Sequence, residues 1–365
     1  MQPLTFVKLS DSSACLTFIL CSLVLFGDHG GALVTLPQNV IVPAVIAFGD
    51  SVVDQGVNNN LKTLVKANFF PYGMDFVPQK STGRFSNNRT PADMIAEELG
   101  IKDLLPAYPD VSHDDKELVT GVSFASGGSG YDPETPKIVD VLSMNDQLTN
   151  FKEYIEKLKA IVGEERTKFI LANSLIMVVA GSDDLTNTYF AVGIRKLHYD
   201  IHSYTNLIVS SASNFTQDIY NLGARRIAVF GAPPLGCLPS QRTLRGGEFR
   251  ACAKEHNEAA QLYNKKLQQG IEHLNRYHAG SKIVYIDIYK PLLDIIQNPP
   301  QYGLEVVDKG CCGTGNIEVA VLCNQYLTTC DDPSKHLFWD SFHLTDKGYS
   351  MLINQVVGKY VHEFF

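Results

Sequence analysis

Residues 44–54 read Ala-Val-Ile-Ala-Phe-Gly-Asp-Ser-Val-Val-Asp, an apolar run that stops abruptly at Gly49, Asp50 and Ser51. Five apolar residues rich in branched side chains suit a strand buried on both faces, as a parallel sheet requires. Gly49 permits a tight turn after that strand. Ser51 then falls where a following helix is expected to begin, with its hydroxyl exposed and backbone N–H groups aimed at whatever is attached to it. A serine so placed is a candidate nucleophile; the plainer role for it is a helix cap. No Gly-x-Ser-x-Gly elbow occurs in the chain, so the usual α/β-hydrolase turn is not the scaffold.

Similar runs recur at 121–125, 175–180, 227–230 and 283–288. Between them lie segments of helical period: one opened by Thr90-Pro91 and closed by Gly100, then 145–162, 199–222 and 248–277, with 345–364 ending the chain. Strand and helix alternating in this way predict a parallel sheet with helices on both faces, joined by right-handed crossovers. No Pro/Ser-rich linker or internal repeat divides the chain, so a single domain is expected. Two connections, 103–119 and 298–332, are long enough to suggest that they shape a site or carry disulfides.

Ligands of open parallel sheets sit beyond the carboxyl ends of the strands. After the second run comes Ser126-Gly127-Gly128-Ser129-Gly130, a turn able to bring N–H groups to a ligand, though it lacks the Gly-Lys-Ser/Thr ending of a P-loop. After the third comes Gly181-Ser182-Asp183-Asp184, whose carboxylates suit a cation or a helix cap. Near the end stands Trp339-Asp340-Ser341-Phe342-His343. Asp and His three apart on one helical turn would share a face, the carboxylate holding one ring nitrogen and leaving the other free, as a general base and its orienter require. The chain's one tryptophan beside them could help to exclude water. A surface histidine next to an acid is the simpler alternative.

Together, Gly49-Asp50-Ser51, the glycine-rich turn, Gly181-x-x-Asp184 and Asp340-x-x-His343 resemble the GDSL esterase/lipase family of SGNH hydrolases, in order and spacing, over residues 42–360. Asp54, Asn58-Asn59 and Gly83-Arg84-Phe85-Ser86 are similar to its plant secreted branch. The resemblance implies a three-layer α/β/α sandwich of flavodoxin-like kind around a mainly parallel five-stranded sheet. It implies Ser51 as nucleophile, His343 as base and Asp340 as its orienter. An oxyanion hole would be formed by the N–H groups of Ser51 and Gly128 (Gly127 second) and a side chain at Asp183. No metal and no organic cofactor is expected. The implied reaction is hydrolysis of carboxylic esters, lipid or other, through an acyl-enzyme. An acyltransferase or a non-catalytic lipid- or glycan-binding member of the fold is the alternative.

Three positions depart from the family pattern. Leu344 replaces a proline, and Ser123 replaces an asparagine, which is expected to cost the scaffold a hydrogen bond. Asp183 replaces the oxyanion asparagine, and an ionised carboxylate has no proton to donate. If burial keeps Asp183 protonated, it can still supply that bond.

Lys8 precedes an uncharged apolar run of 13 residues, 14–26, and small residues follow at Gly30, Gly31 and Ala32. This order predicts a signal peptide over 1–32 and a hydrolase domain over 33–365; the run is too short to span a bilayer, so stable membrane insertion is not expected. The six cysteines beyond it, Cys237, Cys252, Cys311, Cys312, Cys323 and Cys330, are even in number, as disulfides in a secreted, extracellular protein should be. Cys237 with Cys252 is the first choice of pair. A zinc site in the other four is disfavoured, because they contain no Cys-x-x-Cys. Asn88-Arg89-Thr90 and Asn214-Phe215-Thr216 are glycosylation acceptors in such a compartment. With 31 basic against 39 acidic residues the net charge is −8, unlike that of a nucleic-acid binder. A small-molecule or lipid ester is the expected partner, and no protein partner is predicted.

Overall fold

The computed structural model describes residues 36–365 apart from 279 and 319–321. The predicted signal peptide, 1–32, lies outside the described residues. Strand β1 (Val45–Gly49), buried at every position, pairs in parallel with β2 (Leu175–Val179), and β3 (Arg226–Phe230) and β4 (Lys282–Ile286) extend the sheet in that order. The register sets Phe48 beside Val178 and Val229, and Ala47 beside Met177 and Ala228. Alternation then sends the two rows to opposite faces. Phe48 meets Phe151 and Phe215 edge-on, at centroid distances of 5.2 and 5.5 Å, from helices Met144–Val162 and Ile201–Asn221. Met177 and Ala228 line a small apolar pocket with Ile95 and Val356 of helices Pro91–Glu98 and Asp346–Phe364. The result is a three-layer α/β/α sandwich.

The expected fifth strand is present in outline only. Residues 121–125 run parallel to the free edge of β1, with Ala47 N–H donating to Val122 O (3.1 Å) and Phe124 N–H to Ala47 O (2.8 Å). Only Ser123 forms a regular bridge to β1, and it also bridges Ala107. The ladder misses a bond where the Gly49 N–H goes to Gln147 Oε1 instead of to this edge. Counting this edge, the spatial order of strands is second-first-third-fourth-fifth in the chain, the flavodoxin-like order. A second, two-stranded parallel sheet of β5 (Val306–Gly310) and β6 (His336–Phe338) was not legible in the sequence.

Helix expectations hold closely for Pro91–Glu98, where Thr90 and Asp93 form a capping box with proline at the first position. The helix expected from residue 248 starts later, at Lys254–Tyr277, because the disulfide Cys237–Cys252 holds the preceding stretch in a loop. Several short helices among the described residues escaped the sequence reading, the longest being Glu164–Asn173 and Tyr289–Gln297. Among the described residues no helix is long and apolar enough to cross a membrane.

All six cysteines named above are paired: Cys237–Cys252, Cys311–Cys330 and Cys312–Cys323. The last two lie in the long 298–332 connection and pack with Tyr72, Phe85 and Trp339 in a small core of their own. Denatured, unreduced protein should therefore show no alkylatable thiol among these six. Removing the Cys312–Cys323 bridge should cost about 2–5 kcal/mol of stability in denaturant titration; two or more labelled thiols would contradict the pairing.

Candidate active site

The carboxyl ends of residues 121–125, β1 and β2 meet at the point where the strand order reverses. There Gly49 adopts a φ of 135°, and a Cβ on it would lie 1.8 Å from the Val179 carbonyl oxygen. Gln147 clamps the same residue, accepting from Gly49 N–H (2.8 Å) and donating to Gly49 O (2.9 Å). The turn continues with Asp50 N–H donating to Val179 O (2.9 Å) and the Asp50 carboxylate accepting from Val52 N–H (3.0 Å). No helix begins at Ser51, contrary to expectation; the next helical residues are the single 3-10 turn Val57–Asn60. A capping role for Ser51 thus has nothing to cap, and its hydroxyl is free to face the cleft.

The glycine-rich turn is held against this loop. Asp54 accepts from Gly56 N–H (2.8 Å), Val57 N–H (2.7 Å) and Gly127 N–H (2.9 Å), while Asn58 donates to Gly127 O (2.9 Å). Gly128 has a φ of 90°, and a side chain there would start 2.8 Å from a Val139 methyl. Among the described residues, nothing claims the N–H of Ser51 or of Gly128. Ser123 does not leave the scaffold short: its hydroxyl donates to Val53 O (2.7 Å) and accepts from Ala125 N–H (3.2 Å), so the expected loss is corrected. Leu344, in place of proline, is buried and bridges Phe338.

Asp340 and His343 do come together, but not on a helical turn. They lie in a bend between β6 and the C-terminal helix, and the Asp340 carboxylate makes the i, i+3 relation by accepting from Phe342 N–H and His343 N–H, both at 2.8 Å. His343 Nδ1 is 2.8 Å from Asp340 Oδ2, and His343 Nε2 is 2.7 Å from Ser51 Oγ. Tyr72 donates to the same carboxylate at 2.7 Å. Burial by itself would raise Asp340, but the His343 imidazole, the Tyr72 hydroxyl and the Phe342 N–H outweigh it and hold the group below its ordinary value. The Phe85 ring lies on His343 at 5.0 Å between centroids, placed by its neighbour Arg84, which is buried and paired with Asp93 (2.8 Å).

The two adjacent aspartates part company. Asp184 is fully buried and accepts from Tyr131 N–H (2.8 Å), Asp132 N–H (2.9 Å) and the Thr135 hydroxyl (2.5 Å), tying the segment after the glycine-rich turn to the π-helical stretch Asp184–Ala191. Its role is structural. Asp183 lines the cleft with Ser51, Gly128 and His343, and one of its oxygens accepts from Asn187 Nδ2 at 2.8 Å. Burial pushes it up to about 6, against the pull of His343 and of Asn187. Asp50 behind it is likewise raised, by burial first and then by Asp183. Among the described residues no cluster of His, Cys, Asp or Glu could hold a metal ion.

The cleft has a volume of about 630 Å³ and is rimmed by Leu64, Ile138, Val192 and Leu322, all exposed, with Lys66 and Asn324 adding polarity. Sequence reasoning missed Tyr72, Gln147 and Asn187. Asn187 had a signal, since four residues on a helical stretch bring it back to Asp183. Tyr72 and Gln147 act 268 and 98 residues from their partners, and no local pattern marks them.

Residues 45–356 match the family model for GDSL-like Lipase/Acylhydrolase. GDSL esterase/lipase EXL3 of Arabidopsis thaliana is 57% identical over 342 residues, covering 93% of this chain and 94% of that one. GDSL esterase/lipase EXL2 of the same plant is 48% identical over 345 residues, covering 90% and 91%. The chain belongs to the GDSL lipase/acylhydrolase family and is a carboxylic ester hydrolase.

Tyr72→Phe should leave the buried Asp340 carboxylate one donor short, at a cost of about 1.5–3 kcal/mol, the range for hydrogen bonds to charged groups. Ester turnover is expected to fall roughly tenfold in kcat with little change in KM. Unchanged kcat would show that Tyr72 only fills space.

Proposed function

We propose that this protein is a secreted serine hydrolase in which His343, held by Asp340, takes the proton of Ser51 as its oxygen attacks an ester carbonyl. The acyl-enzyme so formed is released by water that the same imidazole activates. The observation that carries this reading is the unbroken line from Ser51 Oγ through both ring nitrogens of His343 to Asp340, at 2.7 and 2.8 Å. A non-catalytic binding protein has no use for such a line. Transfer of the acyl group to another alcohol uses the same residues and differs only in what reaches the acyl-enzyme.

In this reading the developing oxyanion is met by the N–H groups of Ser51 and Gly128 and by Asp183 in its protonated form. Asn187 occupies one Asp183 oxygen, which leaves the other to carry the proton. Three disulfides and the signal-like residues 1–32 support export. Asn214 is exposed on its helix and suits a glycan, and Asn88 is half-buried.

Ser51→Ala and His343→Ala should each lower kcat by about 10⁴-fold or more, with the double variant no worse than either, because such residues act as a unit. Activity of the double variant far below both singles would defeat the assignment. The pH profile tests Asp183 separately. Its proton is present below about 6 and absent above, and the carboxylate then repels the oxyanion. Turnover should therefore drop as pH rises through about 6, by roughly 10²-fold, the usual cost of one lost oxyanion donor. Asp183→Asn, whose amide donates at any pH, should remove that drop; superimposable profiles would exclude Asp183 from the oxyanion site.

A further inference from the structure

Asp183 and Asn187 both line the catalytic cleft, Asp183 just before the π-helical stretch Asp184–Ala191 and Asn187 four residues further on. The Asn187 amide donates to Asp183 Oδ1 at 2.8 Å, and among the described residues this is the one hydrogen bond of that carboxyl. Asn187 is itself held through its backbone, since the Val192 N–H closes a wide turn on the Asn187 carbonyl at 2.8 Å. The Asn187 side-chain oxygen has only a long contact of 3.5 Å with the Thr186 hydroxyl, which donates to Ser182 O at 2.8 Å. The side chain of Asn187 therefore has one close partner, and that partner is Asp183.

A carboxyl group has two equivalent oxygens and turns about a single bond. Left free, either oxygen carries the proton and either one meets the substrate. A donor on Oδ1 removes that freedom: it fixes the plane of the group, and it places the proton on Oδ2, because a protonated oxygen is a poor acceptor. From this we infer that Asn187 is the positioning residue of the oxyanion site, pinning Asp183 Oδ1 so that Oδ2 and its proton are kept for the reacting oxygen. The inference rests on the reading of Asp183 as an oxyanion donor given above. It has an electrostatic consequence. A hydrogen bond donated to a carboxylate favours the ionised form, and so does the pull of His343 across the cleft; these two act on Asp183 against burial. The other charged or titratable groups around it are Asp50 in the turn after β1, and Lys66 and Asp340, which line the same cleft from other segments. Replacing the neutral Asn187 leaves all of these in place and removes one of the two influences that favour ionisation.

The test is kcat for p-nitrophenyl butyrate between pH 5 and pH 8, measured on the full secreted protein, Asn187→Leu, Asp183→Asn and the double variant. At pH 5 Asn187→Leu should turn over about threefold to tenfold more slowly, because the donating oxygen is no longer fixed in place. Its drop with rising pH should come about one unit later than in wild type, because the ionised carboxylate has lost a donor. The ratio of variant to wild-type kcat should therefore climb about fivefold from pH 5 to pH 8, and a ratio followed across pH cancels any constant loss of folded protein. In the Asp183→Asn background the same substitution should leave the shape of the profile unchanged, since no carboxyl is left there to titrate. A residue that only fills space lowers kcat without moving the drop. If Asn187→Leu does not fold, Asn187→Ala gives the same comparison. A ratio that stays level from pH 5 to pH 8, while Asp183→Asn still removes the wild-type drop, would overturn the role of Asn187 alone. A wild type with no drop for Asp183→Asn to remove would overturn the reading of Asp183 beneath it.

Discussion

The site depends on how closely the backbones approach at the end of β1. Gly49 lies so near the Val179 carbonyl that any side chain on it would collide, and this closeness allows the Asp50 N–H to reach that carbonyl and the chain to turn at once. Because β1 is central, with residues 121–125 on one side and β2 on the other, the turns that follow all three converge on one spot. Ser51, Gly128 and Asp183 are each delivered by a different one of these turns. None needs a long loop to bring it there, so the positions are set by the hydrogen-bonded sheet, the stiffest part of the molecule.

Two carboxylates near the reacting centre are driven in opposite directions by their surroundings. Asp340 is buried but surrounded by donors: two backbone N–H groups, the Tyr72 hydroxyl and the imidazole. It stays ionised and can steady a positive His343. Asp183 has one amide as its hydrogen-bond partner, and burial outweighs both that bond and the pull of His343, so its carboxyl is raised. Environment alone therefore separates a carboxylate suited to hold a cation from one suited to hold a proton.

The histidine arm is not on the main sheet and has to be braced by other means. The bend carrying Asp340 follows β6, whose Phe338 and neighbour Trp339 accept from the N–H groups of Cys311 and Cys312 at 3.0 and 2.6 Å. The adjacent cysteines are in turn anchored by their bridges to Cys330 and Cys323. Buried Glu318 adds to this brace through Gly310 N–H at 3.0 Å and through the Ser341 hydroxyl. The disulfides thus stiffen the one segment of the site that the parallel strands do not hold.

Features written in short stretches were legible in the sequence. The buried strand ending at Gly49-Asp50-Ser51, the cap at Thr90-Pro91 and the nearby pair Cys237 and Cys252 each depend on neighbours in the chain, and period, turn chemistry and spacing report such neighbours directly. Asp340 and His343 were found by spacing too, although a bend held by the carboxylate, and not a helix, brings them together. Tertiary structure alone decided what depends on distant partners. Tyr72 reaches Asp340 across 268 residues and Gln147 reaches Gly49 across 98, and neither residue type nor local pattern predicts such a bond. The same holds for Ser123, whose hydroxyl serves a carbonyl 70 residues away, and for the irregular edge strand, which is shared between β1 and the 106–108 segment.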